Sequence, residues 1–405
     1  MTSNTESEQM SDAEKQDWFI QTFTLWSELF NPGNPQPSYE AVFEESDAVQ
    51  PVSWMTVTGR RSGLDRVAHH AEDFTAEGVI VMGNVRPLIP ISIEGEAHVE
   101  YRRVLDRHLS PGAMDAEQVQ MAEEINLLID EVIDDGVCDF SEITRQYAAR
   151  TFLRVLGLPV TDVDHLVALK NGIMHPVTET GTGEEIAALQ SQATQGVYEY
   201  FGAAIRERMS EPRDDLLTRL VATKIGDRPL SFEELQDITL NLLIAGLDTV
   251  SGALSCCVAY LAAHPDQRRQ LTEDPELIPS AVEELMRWES PVNGIFRLAA
   301  RDCQIGDLQV KAGDQVNAVL GSANLDPAEF PDPLTVDFTR QPNRHVAFGK
   351  GPHRCLGSHL ARRLLRVAIK EWHARVPDYW MKPGVELQYA VPTRTVDNLT
   401  LEWRV

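Results

Sequence analysis

The longest helical pattern in the sequence runs from Phe232 to Ala263, with apolar residues at three- and four-residue spacing. Ser231 and Glu234 form the S-x-x-E pattern of a capping box at its start, and His264-Pro265 marks its end. Because this pattern is much longer than an average helix, we expect the helix to cross the whole molecule. The other elements must then pack around it, which predicts one large helical unit.

The remaining sequence predicts a fold that is mainly α with small β-sheets (α+β). Several other segments have helical periodicity, whereas the stretches of β type are short. The predicted helices cover Asp115 to Asp134, Phe140 to Leu156, Ala187 to Met209, Pro279 to Trp288 and Gly357 to Trp372. The predicted strands cover Val52 to Thr58, Leu308 to Leu320 and Val385 to Val405. Gly172 to Glu185 is predicted to be a mobile connection between helices.

The charge balance disfavours several classes of partner. Lysine and arginine number 36 against 62 aspartate and glutamate, a formal net charge of −26. Such an acidic chain argues against nucleic acid and against a basic membrane-binding patch, and no uncharged apolar run approaches the length of a membrane span. We expect residues 1–16 to be a disordered acidic tail and residues 17–405 to form a single domain. The five cysteines, sparse and odd in number, indicate no disulfide framework and favour a cytoplasmic location.

One cysteine stands on a glycine-rich loop immediately before a predicted helix. The segment from Phe348 to Gly357 reads F-G-K-G-P-H-R-C-L-G, with Cys355 near its end. A thiolate at a helix N-terminus is stabilised by backbone N–H groups and by the helix dipole. Such a thiolate can act as a nucleophile, a redox thiol or an axial metal ligand, and the loop alone does not decide between these roles.

The middle of the long helix contains residues that are unfavourable in a buried helix. Gly246 costs on the order of 1 kcal/mol relative to alanine, and Asp248 and Thr249 are polar residues among apolar neighbours. Local choices of this kind tend to mark functional sites. Glycine lets a flat ligand approach the backbone, and a carboxylate with a hydroxyl can pass protons into a dry pocket. The simpler alternative is a solvated outer face of the helix.

Two charged pairs lie at helical spacing. Glu284 and Arg287 are three residues apart, and His98 and Arg102 are four apart. A histidine and an arginine one turn apart can hold an anionic group between them. Taken singly, ordinary surface charge is the simpler interpretation of each pair. Arg340 lies in the turn-rich coil that leads into the cysteine loop.

The order of these motifs resembles the cytochrome P450 haem-thiolate monooxygenases of the soluble bacterial type. The chain has A-G-x-D-T in the long helix, then E-x-x-R, then Arg340, and finally F-G-x-G-x-x-x-C-x-G around Cys355. The resemblance runs from about Trp54 to the C-terminus, and the cysteine loop is its most specific element. Val250 stands where the family usually has a second threonine. The resemblance implies the cytochrome P450 fold, a triangular prism with a long central helix over the haem.

The resemblance implies haem b as the cofactor and O2 as the co-substrate. Cys355 would be the proximal thiolate ligand of the iron, which favours O–O cleavage, and Asp248 and Thr249 would deliver the protons that this cleavage requires. The other residues placed at the haem are Ala245, Gly246, Phe348 and Gly357, together with His98, Arg102, Arg297 and His353 at its propionates. Glu284, Arg287 and Arg340 would form a buried charge network that braces the cysteine loop.

The resemblance also implies a substrate and an electron donor. The expected pocket residues are mostly aliphatic, which predicts a terpenoid, a steroid-like compound or a fatty-acid derivative of small to medium size. They are Val81, Met82, Leu88, Ile244, Val292, Ile295, Phe296, Thr395 and Val396. Electrons would come from NAD(P)H through a ferredoxin reductase and an acidic ferredoxin, which docks on a basic face. That face would comprise Arg103, Arg107, Lys350, Arg354, Arg362 and Arg363.

Three other functions compete with an O2-dependent monooxygenase. A peroxide-using haem-thiolate enzyme has no need for the Asp248-Thr249 pair, and neither does a haem-binding carrier or sensor. A zinc site formed by His353, Cys355 and His359 would lack a fourth ligand. The acid and alcohol in the long helix therefore favour the monooxygenase.

Overall fold

The structure is a computed structural model that describes residues 33, 35, 36, 39, 48–52, 55–80, 82–178, 181–390 and 393–405. The predicted acidic tail, residues 1–16, lies outside the described residues. The helices are α1 (Arg61–His69), α2 (Gly95–His108), α3 (Pro111–Ala116), α4 (Gln118–Asp130), α5 (Phe140–Leu156), α6 (Val163–Met174), α7 (Gly183–Ser210), α8 (Leu216–Val221), α9 (Phe232–Ala263), α10 (Pro265–Glu273), α11 (Ile278–Glu289), α12 (Leu320–Ala323) and α13 (Ser358–Arg375). Short 3-10 turns cover Ile133–Asp135, Val160–Asp162 and Pro275–Leu277.

Helix α9 has the predicted ends and forms the centre of the molecule. The Ser231 hydroxyl accepts the Glu234 N–H and the Glu234 side chain accepts the Ser231 N–H, so the predicted capping box is confirmed. Its 32 residues make α9 about 48 Å long. It packs against α5, α7, α11 and α13, so the other long helices surround it. Pro265 does more than end α9, because it is also the first residue of α10.

The connection between α6 and α7 is shorter than predicted. Helix α6 continues through Gly172 to Met174, and α7 begins at Gly183 after the Thr182 cap. Gly172 lies inside α6 at a point where α6 and α7 approach closely. A Cβ on Gly172 would lie 2.8 Å from the Cβ of Ala193. Gly172, the first residue of the predicted connection, is therefore a helix-packing residue.

The β-structure is confined to small sheets. The strands are β1 (Val49–Val52), β2 (Met55–Thr58), β3 (Phe74–Thr75), β4 (Val137–Asp139), β5 (Lys224–Ile225), β6 (Arg228–Pro229), β7 (Gly294–Ala299), β8 (Cys303–Ile305), β9 (Leu308–Val310), β10 (Gln315–Val319), β11 (Tyr379–Met381), β12 (Tyr389–Ala390), β13 (Thr395–Val396) and β14 (Thr400–Trp403). The largest sheet has the order β1-β2-β10-β7-β3, in which β2 and β10 are parallel. Antiparallel pairing of β7 with β10 places Arg297 opposite Val316.

Each half of α9 belongs to a different apolar cluster. The N-terminal half packs with α5, α6 and α7, and the C-terminal half packs with α4, α11 and α13. Within the described residues, α9 is the one helix long and apolar enough to cross a membrane, but 67% of its most apolar window is buried in the protein. Its apolar composition therefore serves the core.

Candidate functional site

The glycine-rich loop brings Cys355 to the N-terminal end of α13. Gly349 and Gly351 have φ angles of +68° and +73°, which residues with a Cβ rarely adopt. A Cβ on Gly351 would lie 2.2 Å from the carbonyl oxygen of Ala68, so this glycine lets the loop pass over the end of α1. The loop then folds back, and the Cys355 N–H donates to the Phe348 carbonyl at 2.8 Å.

Two properties of the Cys355 side chain point in different directions. Its surface is accessible to solvent, yet burial among protein atoms raises the pKa of its thiol. The Gly357 N–H and the guanidinium groups of Arg102, Arg362 and Arg354 act in the opposite direction on that pKa. Both properties hold if the thiol faces an interior space rather than bulk solvent. A cysteine placed in this way can ligate a metal inside the protein.

One face of α9 is accessible in the middle of an otherwise buried helix. Ala245 is exposed, and Ile244 and Thr249 are partly exposed, whereas Leu243 and Leu247 are buried. The Thr249 hydroxyl donates to the Ala245 carbonyl at 2.7 Å. Residues 245 and 249 are one turn apart, so the alcohol and the small side chain of Ala245 lie on the same accessible face.

Gly246 and the cysteine loop are connected to this region by packing. A Cβ on Gly246 would lie 3.1 Å from the ring of Phe152 in α5, so the helix crossing accounts for this glycine. Leu356, which follows Cys355, belongs to the same apolar cluster as Leu243 and Leu247 of α9. The cysteine loop and the middle of α9 therefore border one region of the protein.

Asp248 has two basic partners that sequence reasoning missed. Its carboxylate contacts Lys170 Nζ at 2.5 Å and His175 Nε2 at 3.2 Å, both from α6 or the residue that ends it. Burial raises the pKa of Asp248, but the hydrogen bond from His175 and the charge of Lys170 outweigh it, so the net pKa is lowered. The side chain of Lys170 is almost fully buried, whereas that of His175 is about half exposed. Asp248 is therefore held ionised, with one partner in contact with solvent.

His98 and His353 stack on each other beside Glu94. Their ring centroids are 4.0 Å apart, and His353 Nε2 lies 3.0 Å from a Glu94 carboxylate oxygen. His98 Nε2 is buried and has no hydrogen-bond partner among the described residues. Burial, together with the charges of His353 and Arg102, lowers the pKa of His98 to about 4. The neutral His98 therefore has a ring nitrogen available for a further hydrogen bond.

Arg297 and Arg102 supply two cations near these histidines. Arg297 is buried, and the hydrogen bond recorded for its guanidinium is to the carbonyl of Phe296 at 2.7 Å. Burial lowers the pKa of Arg297, and the Glu94 carboxylate partly opposes this. Arg102 donates to the carbonyls of Arg354 and Pro352 at 2.6 and 3.3 Å, which ties α2 to the cysteine loop.

These groups fit a ligand that carries two carboxylates, as haem does. No carboxylate among the described residues contacts the buried guanidinium of Arg297. A buried charge without a counter-ion is costly, so an anion bound at this place would stabilise it. The unpartnered His98 Nε2 is a second donor or acceptor in the same place. Glu94 is the exception, since its negative charge would oppose a second carboxylate. Burial raises the pKa of Glu94, but the hydrogen bonds from His353 and from the Ala76 N–H outweigh it, so the net pKa is lowered.

Glu284 lies at the centre of a buried network behind the cysteine loop. Its carboxylate contacts Arg287 at 2.8 Å and Arg340 at 3.1 Å, and it also accepts the Asn343 amide at 3.0 Å. Arg287 donates in addition to the carbonyls of residues 324, 333 and 335. Burial raises the pKa of Glu284, but Arg287 more than offsets it, so the net pKa is lowered. The three residues predicted to brace the loop are thus in contact.

The expected substrate-pocket residues are distributed over three apolar clusters. Met82, Leu88 and Ile244 belong to the cluster around α7, Val292 and Ile295 to the cluster of the large sheet, and Val396 to the cluster around α13. Leu88 and Val396 are buried, at 1% and 0% exposure, so they are core residues rather than residues of an accessible wall. Phe296 and Thr395 are partly exposed, and Val81 lies outside the described residues.

The cations predicted to form a docking face differ in how free they are. Lys350 is paired with Asp65, Arg362 with Glu283, and Arg363 with Asp115. Within the described part of the chain, no ion pair is recorded for Arg103, Arg107 or Arg354, and all three are exposed. The predicted face therefore has three uncompensated arginines, and the other three members are largely neutralised.

The zinc alternative finds no support in the described residues. The one group of three ligating side chains there that could converge on a metal is His70, Glu72 and Asp73, and Cys355 is not part of it. Asp73 is occupied by Arg66 and Arg301. His353 is hydrogen-bonded to Glu94.

Comparison with known proteins gives a consistent result. The cytochrome P450 family model matches residues 179–276 and 276–371. A Sinorhizobium fredii protein named "Probable cytochrome P450 127A1" is 32% identical over 344 residues, which cover 84% of this chain and 81% of that relative. The mycinamicin IV hydroxylase/epoxidase of Micromonospora griseorubida is 34% identical over 71% of this chain and 72% of its own length.

A solved structure supports the fold prediction. The crystal structure of CYP109E1 from Bacillus megaterium in complex with corticosterone superposes with a TM-score of 0.84 at 27% identity. The match covers 93% of this chain and 100% of that one. The predicted mainly α architecture with small sheets is confirmed.

Proposed function

Because this chain belongs to the cytochrome P450 family of oxidoreductases, we propose that it inserts one atom of O2 into a hydrophobic substrate of small to medium size, by hydroxylation or epoxidation. The observation that carries the proposal is the accessible face of α9. Ala245 and Thr249 lie there, next to an ionised Asp248, in the middle of a core helix. An ionised acid beside a hydroxyl at an accessible position of a core helix is suited to proton delivery to a reaction at that face.

Haem bound in this site would supply the oxygen chemistry, with a thiolate ligand that favours O–O cleavage. We infer that Cys355 would hold the iron. His98, Arg102, Arg297 and His353 would hold the carboxylates. Arg102 and Arg297 are cations near the loop, His98 Nε2 has no hydrogen-bond partner among the described residues, and His353 stacks on His98. The remaining tasks belong to the protein, which must exclude water, orient the substrate and deliver protons.

The contacts of Asp248 support a route for those protons. His175 is partly exposed to solvent and contacts one oxygen of Asp248, while the buried Lys170 contacts the other. Thr249 follows Asp248 and lies on the accessible face of α9. Protons can thus pass from solvent to His175, to Asp248 and to the region that Thr249 borders, without opening the core.

Removing the Thr249 hydroxyl is expected to uncouple electron consumption from product formation. In Thr249→Val, product formed per NADH should fall about 100-fold, because proton delivery of this kind contributes 10²–10⁴, while NADH oxidation continues. Thr239→Val is the matched control, since Thr239 is on the same helix and makes the same hydrogen bond to the carbonyl four residues before it. Equal coupling in both variants would contradict a role for Thr249.

The substrate class is inferred from the residues and from the relatives. Met82, Ile244, Val292, Ile295 and Phe296 are apolar and partly exposed, which favours a substrate with a large apolar surface. One relative is named for mycinamicin IV, another is named a steroid C26-monooxygenase, and one solved relative is in complex with corticosterone. We expect a steroid or terpenoid to produce a high-spin spectral shift in a binding screen. A panel that yields a shift only with small polar compounds would contradict this class.

We infer that electrons arrive from a separate ferredoxin and its NAD(P)H-dependent reductase. Arg103, Arg107 and Arg354, which have no ion pair among the described residues, support an acidic partner, because the chain as a whole carries a charge of −26. We further propose that residues 17–405 act as one catalytic domain in the cytoplasm. The corticosterone complex matches 93% of the chain as a single unit, which supports that extent.

Charge reversal in this group is expected to weaken the ferredoxin-driven reaction selectively. Arg103→Glu and Arg107→Glu should raise the KM for ferredoxin at least about tenfold at low salt, since rim charges act through association. Peroxide-driven turnover should not change. Arg206→Glu is the control, because Arg206 is an exposed arginine on α7, which packs against α6, α8 and α9. Equal loss in both assays would count against docking at this face.

A further inference from the structure

Glu283 has a different environment from Glu284, its neighbour in sequence. Consecutive residues of a helix point about 100° apart, so Glu284 faces the buried brace whereas Glu283 faces α13. Arg362 Nε donates to both carboxylate oxygens of Glu283, at 2.8 and 2.9 Å. Arg366 donates to one of these oxygens at 2.9 Å. His345 Nε2 lies 2.9 Å from the other oxygen. We call these four residues the Glu283 cluster.

The Glu283 cluster is attached directly to the cysteine loop. The Arg362 guanidinium lies over the ring of Phe348, 4.2 Å from the centroid, and Phe348 accepts the N–H of Cys355 through its carbonyl. The His345 Nδ1 accepts the N–H of Ala347 at 3.2 Å, so the ring proton must be on Nε2 and directed at Glu283. The Glu283 carboxylate thus holds His345, which precedes the loop, and Arg362, which packs on Phe348 at the start of the loop.

The cluster carries a net positive charge beside the thiolate. Two arginines share one glutamate, which leaves one positive charge if His345 is neutral. Burial raises the pKa of Glu283, but the hydrogen bond from His345 and the charge of Arg362 lower it to about 2, so Glu283 is ionised at neutral pH. Arg362 is also one of the groups whose charge acts on Cys355. The side chains of Arg362 and Glu283 are only 17% and 22% exposed, so solvent screens them less than surface charges.

We propose that the Glu283 cluster sets the reduction potential of the haem by fixing the charge next to the Cys355 thiolate, with Arg362 and Glu283 acting in opposite directions. This inference rests on the proposed haem-thiolate function. Arg362 favours the reduced and more negative state of the site, because its positive charge faces the added electron through the ring of Phe348. Glu283 limits that effect. Both are positioning residues, since neither touches the ligand atom.

The test is a pair of variants with opposite expected signs. In the haem-loaded enzyme, Arg362→Gln removes a positive charge and should shift the reduction potential to more negative values. Glu283→Gln removes the negative charge and leaves two unopposed arginines, so the potential should become more positive. Arg362→Lys keeps the charge and should stay near the wild-type potential. Arg363, the next residue on α13, pairs with Asp115 instead, so Arg363→Gln should shift the potential far less.

The outcomes separate this inference from the proposed function. If the cluster only holds the loop in place, both glutamine variants will loosen it and the two potentials will move in the same direction, or not at all. Either result overturns the inference while the red-shifted ferrous-CO band of the wild type still supports thiolate-ligated haem. If the wild-type enzyme lacks that band, the proposed function fails and this inference fails with it.

Discussion

Replacing Cys355 by alanine is expected to abolish the red-shifted Soret band of the ferrous-CO complex and to reduce monooxygenation to the background rate. The band depends on thiolate ligation, and the described residues offer no second cysteine at this loop. The loop backbone should persist, since its geometry depends on Gly349, Gly351 and main-chain hydrogen bonds rather than on the thiol.

Cys303→Ala is the control for this experiment. Cys303 is the other cysteine with a partly accessible side chain, but it lies on β8 in a separate small sheet. We expect that variant to keep the band and the activity. A Cys355→Ala protein that retains the red-shifted band would contradict the central assignment, because some other group would then supply the thiolate.

Replacing Glu284 by glutamine is expected to destabilise the protein by about 3–5 kcal/mol, the usual cost of removing one partner from a buried ion pair. Glu284, Arg287 and the contacting part of Arg340 are almost completely buried. Glutamine would leave two guanidinium groups without a counter-charge. The Arg287 donors to backbone carbonyls would remain, but they do not neutralise charge.

Urea unfolding of the haem-loaded protein measures this effect as a lower transition midpoint. Asp266→Asn is the matched control, because it breaks an exposed ion pair between Asp266 and Arg269 that has the same three-residue spacing. Its midpoint should hardly change, as is usual for surface pairs. A midpoint for Glu284→Gln close to that of the control would show that the brace contributes little to stability.

Local features of the structure could be predicted because they depend on nearby residues. The ends of α9 follow from the capping box at Ser231 and from His264-Pro265, and the predicted bounds of α5 are also those observed. The side chain of Asp139 caps α5, and Gly157, with φ of +74°, ends it. The loop around Cys355 was predicted from its glycines, and two of them, Gly349 and Gly351, have the positive φ angles that glycine adopts readily.

The partners of the site residues could not be predicted in this way. Lys170 reaches Asp248 from 78 positions away, and Glu94 reaches His353 from 259 positions away. Nothing in the local sequence distinguishes these ionisable residues from solvated ones. The position of Glu283 directly before Glu284 is visible in the sequence. Its contacts with Arg362 and Arg366 on α13 could not be predicted, because they depend on how α11 and α13 pack.

The sequence by itself determined the long central helix, the mainly α class, the cysteine loop and the family resemblance, because periodicity, capping and glycine placement act over a few residues. The tertiary structure decided which charges meet. Helix packing holds Asp248 between Lys170 and His175 and pairs half of the predicted docking cations with carboxylates. Among the described residues, it leaves the buried Arg297 without a contacting carboxylate and His98 Nε2 without a hydrogen-bond partner. These electrostatic relations depend on distances between segments far apart in the chain, and a charge acquires its role only when burial and neighbours fix its energy.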